Sequence, residues 1–515
     1  MRARAPLFAA LLLPLTLLWG CQAVPPAHDG PSVEASEAPL DQAEVLERTL
    51  AVEVAGQTIG MVETRLEKAA DGTWTSRELV TFSLTRQGGG SDAQFSSTTE
   101  TVTIFDPKHE LVSKTEIERE AGITITRVIT IEGDELVSRY SGPGVSDEVD
   151  RFTLPPDYRS SLVVDFELLD EWQRTGKPAT RTFSEFDAER ERFRPVEVTL
   201  LGTTEFELGG ERIPAYQFRA VEEDGTVVES ISDRQMMPLK ISIAGTFIAT
   251  AVLEPPALGG EGKGRINVEL PVAGKTTRYW QELARQEITV TVEGDDPNAP
   301  PLWESGHYHE VTHEGSRYHM TLLSTRPGKD FVAPSLPLAI EDPQIRRYLD
   351  STTKAQSDDS MIVRRARQIV GSERDAMLAA ERIVESVFLG LAKEAGVRGS
   401  ATALEVLQNG AGDCTEHAVL VVALMRAAGI PARVVDGIVM ASDIDGSGMA
   451  GYHAWAEIWL GQWIGVDATV NETGTSARYL QFGIDEPGSM SSGGKLTRAI
   501  GRVGIELGPH QTYEQ

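Results

Sequence analysis

Residues 410–433 read "GAGDCTEHAVLVVALMRAAGIPAR" and hold one of only two cysteines in a chain of 515 residues. Asp413 followed three residues later by Glu416 is a capping box, so a helix is expected to open at Cys414. Gly429 and Pro431 mark its other end. A thiol in the first turn lies among unpaired backbone N–H groups at the positive end of the helix dipole, a setting that favours a thiolate. The rest of the helix is apolar nearly all round, so it should be buried and hold the sulfur rigidly. On the helix alone the opposite reading, a small buried cysteine that packs as a hydrophobe, stands equally well.

A nucleophilic thiol needs a base, and the base needs an orienting group. His417, at i+3 on the same helix, could reach Cys414, but nothing near it in sequence would orient it. His453 opens the alternating stretch "HAWAEIWL", and Asp467 follows in "WIGVDAT", so these two fall on neighbouring strands. A cysteine on a helix end, a histidine on one strand and an aspartate on the next can converge as a thiol triad. Convergence carries a condition on register. Side chains alternate along a strand, so His453 and Asp467 share a face only if odd residues pair with odd. A two-residue turn at Gly461-Gln462 would pair Leu460 with Trp463 and set them on opposite faces. The triad therefore predicts a three-residue turn with Gly461 at positive φ, or a bulge near Gly465. Trp455, Trp459 and Trp463 are expected as core and cleft wall.

Three motifs, "SATALEVLQNGAGDC", "GDCTEHAVLVVALMRAAGIPAR" and "HAWAEIWLGQWIGVDAT", resemble the bacterial transglutaminase-like superfamily, which is related in fold to papain-type cysteine enzymes. The resemblance covers about residues 360–480. It implies Cys414 as nucleophile, His453 as general base and acid, Asp467 as orienting carboxylate and His417 as a structural residue of the motif. Many relatives carry a hydroxyl-bearing aromatic on the helix before the "SA…VL" motif. Phe388 stands there in this chain, which leaves the second oxyanion donor unassigned.

Two further constellations invite a metal and fall short of one. "SDIDGSGMAGYHAW" puts Asp443, Asp445, Ser447 and Gly448 at calcium-loop positions, but Ala454 occupies the twelfth position, where a bidentate Glu is needed. An active-site flap is the expectation there. In "GHYHEVTHEGSRYHM" a strand would place His307, His309 and His313 on one face, with no Cys or helical His pair beside them. No metal and no cofactor is expected.

The elements that must position this chemistry divide the chain into several domains. Residues 46–252 alternate in short runs between Gly and Asp-Gly turns, the signature of an antiparallel β domain, open or barrel-like, with one helix-like interruption at "SSLVVDFELLDEWQRTG". Within it "LGTTEFELGGERIPAYQFRA" and "GTVVESISDRQMMPLKISIAG" resemble a bacterial family of periplasmic β-half-barrel proteins. Residues 253–332 form a second β-rich segment. From 333 to 515 amphipathic helical patterns precede strands, an α+β transglutaminase-like (papain-like) domain.

The chain starts "MRARAPLFAALLLPLTLLWGCQA". Arg2 and Arg4, an apolar run broken by Pro14 and too short to span, Gly20 and then Cys21 read as a lipoprotein signal over residues 1–20. Cys21 would receive the lipid, and residues 21–45, rich in Pro, Ala, Ser and acid, would be a flexible tether. Gln22 stands where inner-membrane lipoproteins usually carry Asp, which implies the outer membrane. With Cys21 lipidated, Cys414 has no disulfide partner in an oxidising compartment, which fits a reactive thiol. The formal charge of −29, from 48 Lys plus Arg against 77 Asp plus Glu, argues against nucleic acid and anionic headgroups as partners. The expected function is an envelope-anchored thiol enzyme that takes an acyl group from a protein or peptide amide through a thioester and passes it to water or an amine. The rivals are a non-catalytic scaffold of the same fold and a β domain that carries or senses an apolar ligand.

Overall fold

In a computed structural model the described residues are 45–513, apart from 55, 88–92, 121–122, 143–144, 189–191, 223–224, 259–264, 268, 271, 276, 278, 296–298, 353, 394–400, 443–446, 486–494 and 496–497. Cys21, the expected signal and the expected tether up to residue 44 lie outside them, as do Asp443 and Asp445 of the expected flap.

The alternating first region forms one large sheet. Strands Val45–Val54, Gln57–Lys68, Trp74–Gln87, Ala93–Phe105, Leu111–Glu120, Ile123–Glu132, Glu135–Gly142 and Val145–Thr153 each pair antiparallel with the next. Ala179–Asp187, Arg192–Leu208, Glu211–Val221, Val227–Asp233, Pro238–Ile243 and Phe247–Val252 form a second meander, whose last strand pairs with the first of the other arm, Thr49 opposite Val252. The helix-like interruption is helix Ser161–Thr175, capped by the Ser160 side chain and ended by Gly176 in the left-handed conformation. It buries Leu162, Val164, Leu168 and Leu169 in one core with Leu50, Val62 and Phe82 from one arm and Phe183, Val198 and Phe218 from the other. Both arms therefore curl around the helix.

The β-rich segment after residue 253 supplies strands Leu283–Val292, His309–Glu314 and Arg317–Leu323, but its sheet is completed from the far end of the chain. Val503–Thr512 pairs antiparallel with Leu283–Val292, Val290 opposite Ile505. No local signal in the sequence shows which distant strand this segment joins. The expected histidine face does not assemble. His309 is buried, His313 stacks on Tyr318 with ring centroids 5.3 Å apart, and His307 precedes the strand. Among the described residues no group of three His, Cys, Asp or Glu could hold a metal ion, and no helix is long and apolar enough to cross a membrane.

Beyond residue 333 helices come first, as their patterning predicts: Ser360–Val370, Ala376–Gly390, Ala403–Asn409 and Cys414–Ala427. Asp359, Asp375, Thr402 and Asp413 cap them in turn. A sheet follows in the order Glu472–Thr473, Trp463–Asp467, Gly448–Trp459, Ala432–Ser442, Tyr479–Asp485. Its even-numbered residues are shared between two neighbours. Val434, Ala454, Ala456 and Ile458 pack with the helices, while Ile438, Met440, Ala450 and Phe482 pack with Leu283, Val290, Trp303 and Val503 of the adjacent sheet. The odd-numbered residues, His453 and Trp455 among them, face the other way.

Candidate active site

The cysteine helix, Cys414–Ala427, is buried continuously from Glu416 to Met425, as a helix apolar on all sides should be. Its start is fixed by the reciprocal capping box. Asp413 Oδ1 accepts from the Thr415 N–H at 3.0 Å, and Glu416 Oε2 accepts from the Asp413 N–H at 2.8 Å. Gly412 is needed for this fold-back, because a Cβ there would lie 2.4 Å from the Glu416 Cβ. Cys414 thus holds the first helical position, only partly buried, where its own N–H has no intrahelical partner. Burial first, and then the adjacent Asp413 carboxylate, push Glu416 up to about 9, so it is protonated at neutral pH.

The histidine strand, Gly448–Trp459, and the aspartate strand, Trp463–Asp467, pair with Trp459 opposite Trp463 and Ala456 opposite Val466. Three residues, Leu460 to Gln462, connect them, and Gly461 has φ +89°. Odd therefore pairs with odd, and His453 and Asp467 share a face without a bulge. Gly465 is required for packing instead, since a Cβ there would meet Thr475 Oγ1 at 2.3 Å. Opposite His453 on the next strand stands Gly437, whose Cβ would lie 2.1 Å from the Leu480 carbonyl oxygen and 2.7 Å from the Trp455 ring. That bare backbone lets the indole settle beneath the imidazole. Trp455 stacks on His453 with ring centroids 6.3 Å apart, and Trp459 and Trp463 meet edge to face at 5.5 Å.

The three expected residues come together. His453 Nε2 donates to Asp467 Oδ2 at 2.7 Å, and the Cys414 thiol lies close enough to the same ring to raise its basicity. With Nε2 committed to the carboxylate, Nδ1 is the nitrogen left for sulfur. Asp467 is saturated. Its Oδ2 also accepts from Tyr479 Oη at 2.8 Å, and its Oδ1 accepts from the Thr469 N–H at 2.8 Å and from Thr469 Oγ1. Arg478 Nη2 in turn donates to Tyr479 Oη and to Glu472 Oε2, each at 2.8 Å, with its guanidinium over the Trp280 ring.

Burial by itself would raise Asp467, but the His453 charge and the hydrogen bonds from His453, Thr469 and Tyr479 hold it well below the usual carboxylate range. Burial would likewise lower His453. The Asp467 charge and hydrogen bond, followed by Cys414, push it instead up to about 10. The ring therefore carries a proton at neutral pH, and an imidazolium beside the sulfur favours the thiolate that remains once the thiol proton has passed to the ring.

His417 takes no part in this chain of contacts. Its Nδ1 meets the Asp413 carbonyl oxygen at 2.6 Å, the ring is 1 % exposed, and burial lowers its basicity. Phe388, on helix Ala376–Gly390, lies under the Lys393 ammonium at 4.7 Å and offers no donor. Sequence reading missed Thr469, Glu472, Arg478 and Tyr479. Thr469, two residues after Asp467 in "DAT", has the spacing of a local side-chain turn and was the one with a signal. Glu472 arrives on the short strand Glu472–Thr473, and Arg478 and Tyr479 arrive where the strand Tyr479–Asp485 begins.

The model of the transglutaminase-like superfamily matches residues 363–468. Among solved structures the chain is similar to a candidate cysteine protease from Cytophaga hutchinsonii, at 15% identity over 48% of this chain and 84% of that one, with a TM-score of 0.29. It is similar to a beta-barrel-like protein of a domain of unknown function from Brucella abortus, at 10% identity over 40% of this chain and 94% of that one, with a TM-score of 0.31. A third similarity is to a candidate protease from Parabacteroides distasonis, at 11% identity over 75% and 66%, with a TM-score of 0.18. The search of curated proteins returned no match.

Proposed function

Residues 363–468 give the chain a transglutaminase-like superfamily domain, and from that premise we propose that it is a thiol enzyme transferring an acyl group from a protein or peptide amide. The observation that carries this reading is the single imidazole bonded at 2.7 Å to a fully hydrogen-bonded Asp467 and set beside the Cys414 thiol, which raises its basicity further. With the Cys414 proton already held on His453 Nδ1, the thiolate sulfur attacks the amide carbon. The oxyanion of the tetrahedral intermediate meets the Cys414 N–H at the positive end of the helix. The C–N bond then breaks, the imidazolium returns its proton to the departing amine, and a thioester remains on Cys414. Water or a second amine, deprotonated by the same imidazole, attacks the thioester and restores the thiol. A scaffold that had lost catalysis would have no use for four hydrogen bonds on a buried carboxylate.

The reading extends to location. A lipidated Cys21 would hold the protein to the outer membrane, leaving the thiol domain to act on protein or peptide in the envelope. Incubation with a peptide amide, followed by acid quench and intact mass spectrometry, tests the chemistry. An adduct of the acyl mass on Cys414, lost in Cys414→Ala and hydroxylamine-labile, is expected. No adduct from a broad peptide pool, together with no amine release, would remove the enzyme and leave the scaffold.

A further inference from the structure

The first β region contains a row of side chains that the thiol chemistry does not use. Cross-strand register aligns Thr64 with Glu78, Glu78 with Thr101, Thr101 with Glu116, Glu116 with Arg127 and Arg127 with Tyr140. Six polar or ionisable residues thus run across the inner face of five adjacent pairings, where a curled sheet ordinarily places aliphatic residues. Thr64, Glu78 and Thr101 are each no more than 4 % exposed. The row borders a cavity of about 100 Å³ whose polar lining includes Glu78, Thr101, Lys114, Arg159, Glu185 and Arg194 and whose remaining wall is largely apolar, Phe105, Ile129 and Phe186 among it; Arg159, at the exposed rim, donates to the Tyr158 carbonyl oxygen.

The cations in this interior are committed elsewhere. Lys114 Nζ lies 2.7 Å from Glu116 Oε1, and Arg127 Nη1 lies 3.5 Å from Glu116 Oε2. Arg194 Nη1 lies 2.7 Å from Glu222 and its other nitrogens 3.8 Å from Glu185 and from Asp187. Glu78 has no salt bridge among the described residues, and its buried Oε1 has no hydrogen-bond partner; Glu185 Oε2 and Thr64 Oγ1 lack one as well. A buried carboxyl without a cation is costly as an anion. Burial pushes Glu78 up to about 8, and it pushes Glu185 up to about 7 against the opposing charges of Arg194 and Lys114. The missing component is a compact cation rich in N–H donors.

We propose that this cavity is a binding site for a primary ammonium group, seated on the carboxyls of Glu78 and Glu185 with hydroxyls of the polar row beside them. An ammonium offers three donors on a point charge, which suits carboxyl oxygens that lack donors, and the volume admits the head group with few further atoms. The group can be borne by a small free amine or by the amino terminus of a peptide.

Titration calorimetry of the full chain with methylammonium, with the dipeptide Ala-Ala and with tetramethylammonium tests the proposal. Methylammonium or the dipeptide should bind, and tetramethylammonium, which has no N–H donor, should not. Stronger binding by methylammonium points to a free amine, and stronger binding by Ala-Ala to a peptide terminus; either supports the site. Because Glu78 must ionise to hold the cation, binding at pH 7 should release about one proton, read from the buffer dependence of the heat. Glu78→Gln, which mimics the protonated carboxyl, should keep the native circular dichroism and weaken binding at least about tenfold. Glu185→Gln gives the same readout should the first variant fail to fold. Absence of binding by either amine, or binding unchanged in both variants, would overturn the proposal.

Discussion

Asp467 and His453 illustrate what a buried ion pair does when every lone pair is assigned. Each group opposes its own desolvation through the other, so the pair links stability to pH on two sides. His453 is raised from its ordinary 6.5 to about 10, so its contribution is complete below pH 6.5 and is lost as pH rises through about 10. Asp467 is depressed from its ordinary 3.8, so its contribution is present above that value and is lost as pH falls through its lower folded value. Melting temperature followed against pH should therefore decline between about 6.5 and 10, and His453→Ala should flatten that alkaline limb. An unchanged limb in the variant would place the titrating group elsewhere. At this scale the triad was legible because Cys414, His453 and Asp467 each sit inside a short motif with its own local logic. Tyr479 and Arg478 were not, since "SARYLQF" carries no local signal and acquires its role only when the Tyr479–Asp485 strand returns beside Ala432–Ser442.

Between elements, the register of a strand pair decides whether chemistry is possible. Leu460 to Gln462 is the shortest odd connection that leaves Trp459 opposite Trp463, and it sets Asp467 on the face of His453. Deleting Ile464 keeps the three-residue turn and moves every later residue of the strand by one, so that Asp467 turns away from the imidazole and Val466 leaves the core face. That deletion should cut the reactivity of Cys414 toward iodoacetamide at pH 7 by about tenfold or more, as expected for a base that loses its orienting partner, whereas deleting Gln462, which shortens the turn to Leu460-Gly461 and keeps Trp459 opposite Trp463, should leave it near the wild-type rate. Equal rates in all three chains would separate the register from the site. This register was readable because alternation and turn length are local. The demand for glycine at Gly437 was hidden, for the atoms its Cβ would strike belong to Leu480 and Trp455.

Across the whole molecule, the thiol domain does not end where its motifs end. Val503–Thr512 leaves the 333–515 stretch to complete the sheet of Leu283–Val292, and Val503 and Ile505 share a core with Ile438 and Leu480 behind the histidine strand. Truncation before Val503 should lower the thermal midpoint by several degrees and expose apolar surface to a reporter dye, because two buried aliphatic side chains are worth roughly 1.5–3 kcal/mol each. A chain that melts unchanged would make the strand an appendage. The sequence reading did not place the strand Val503–Thr512, and pairing across more than two hundred residues has no local signature. In the full-length protein, the rate of Cys414 alkylation by iodoacetamide from pH 5 to 10, compared between the wild type, His453→Ala and Asp467→Asn, bears most directly on the thiol triad. With an imidazolium that keeps its proton to about 10 beside the sulfur, the wild-type rate should be high and nearly level from pH 6 to 9. Both variants should be slow at pH 6 and rise steeply with pH. Three superimposable profiles would contradict the triad.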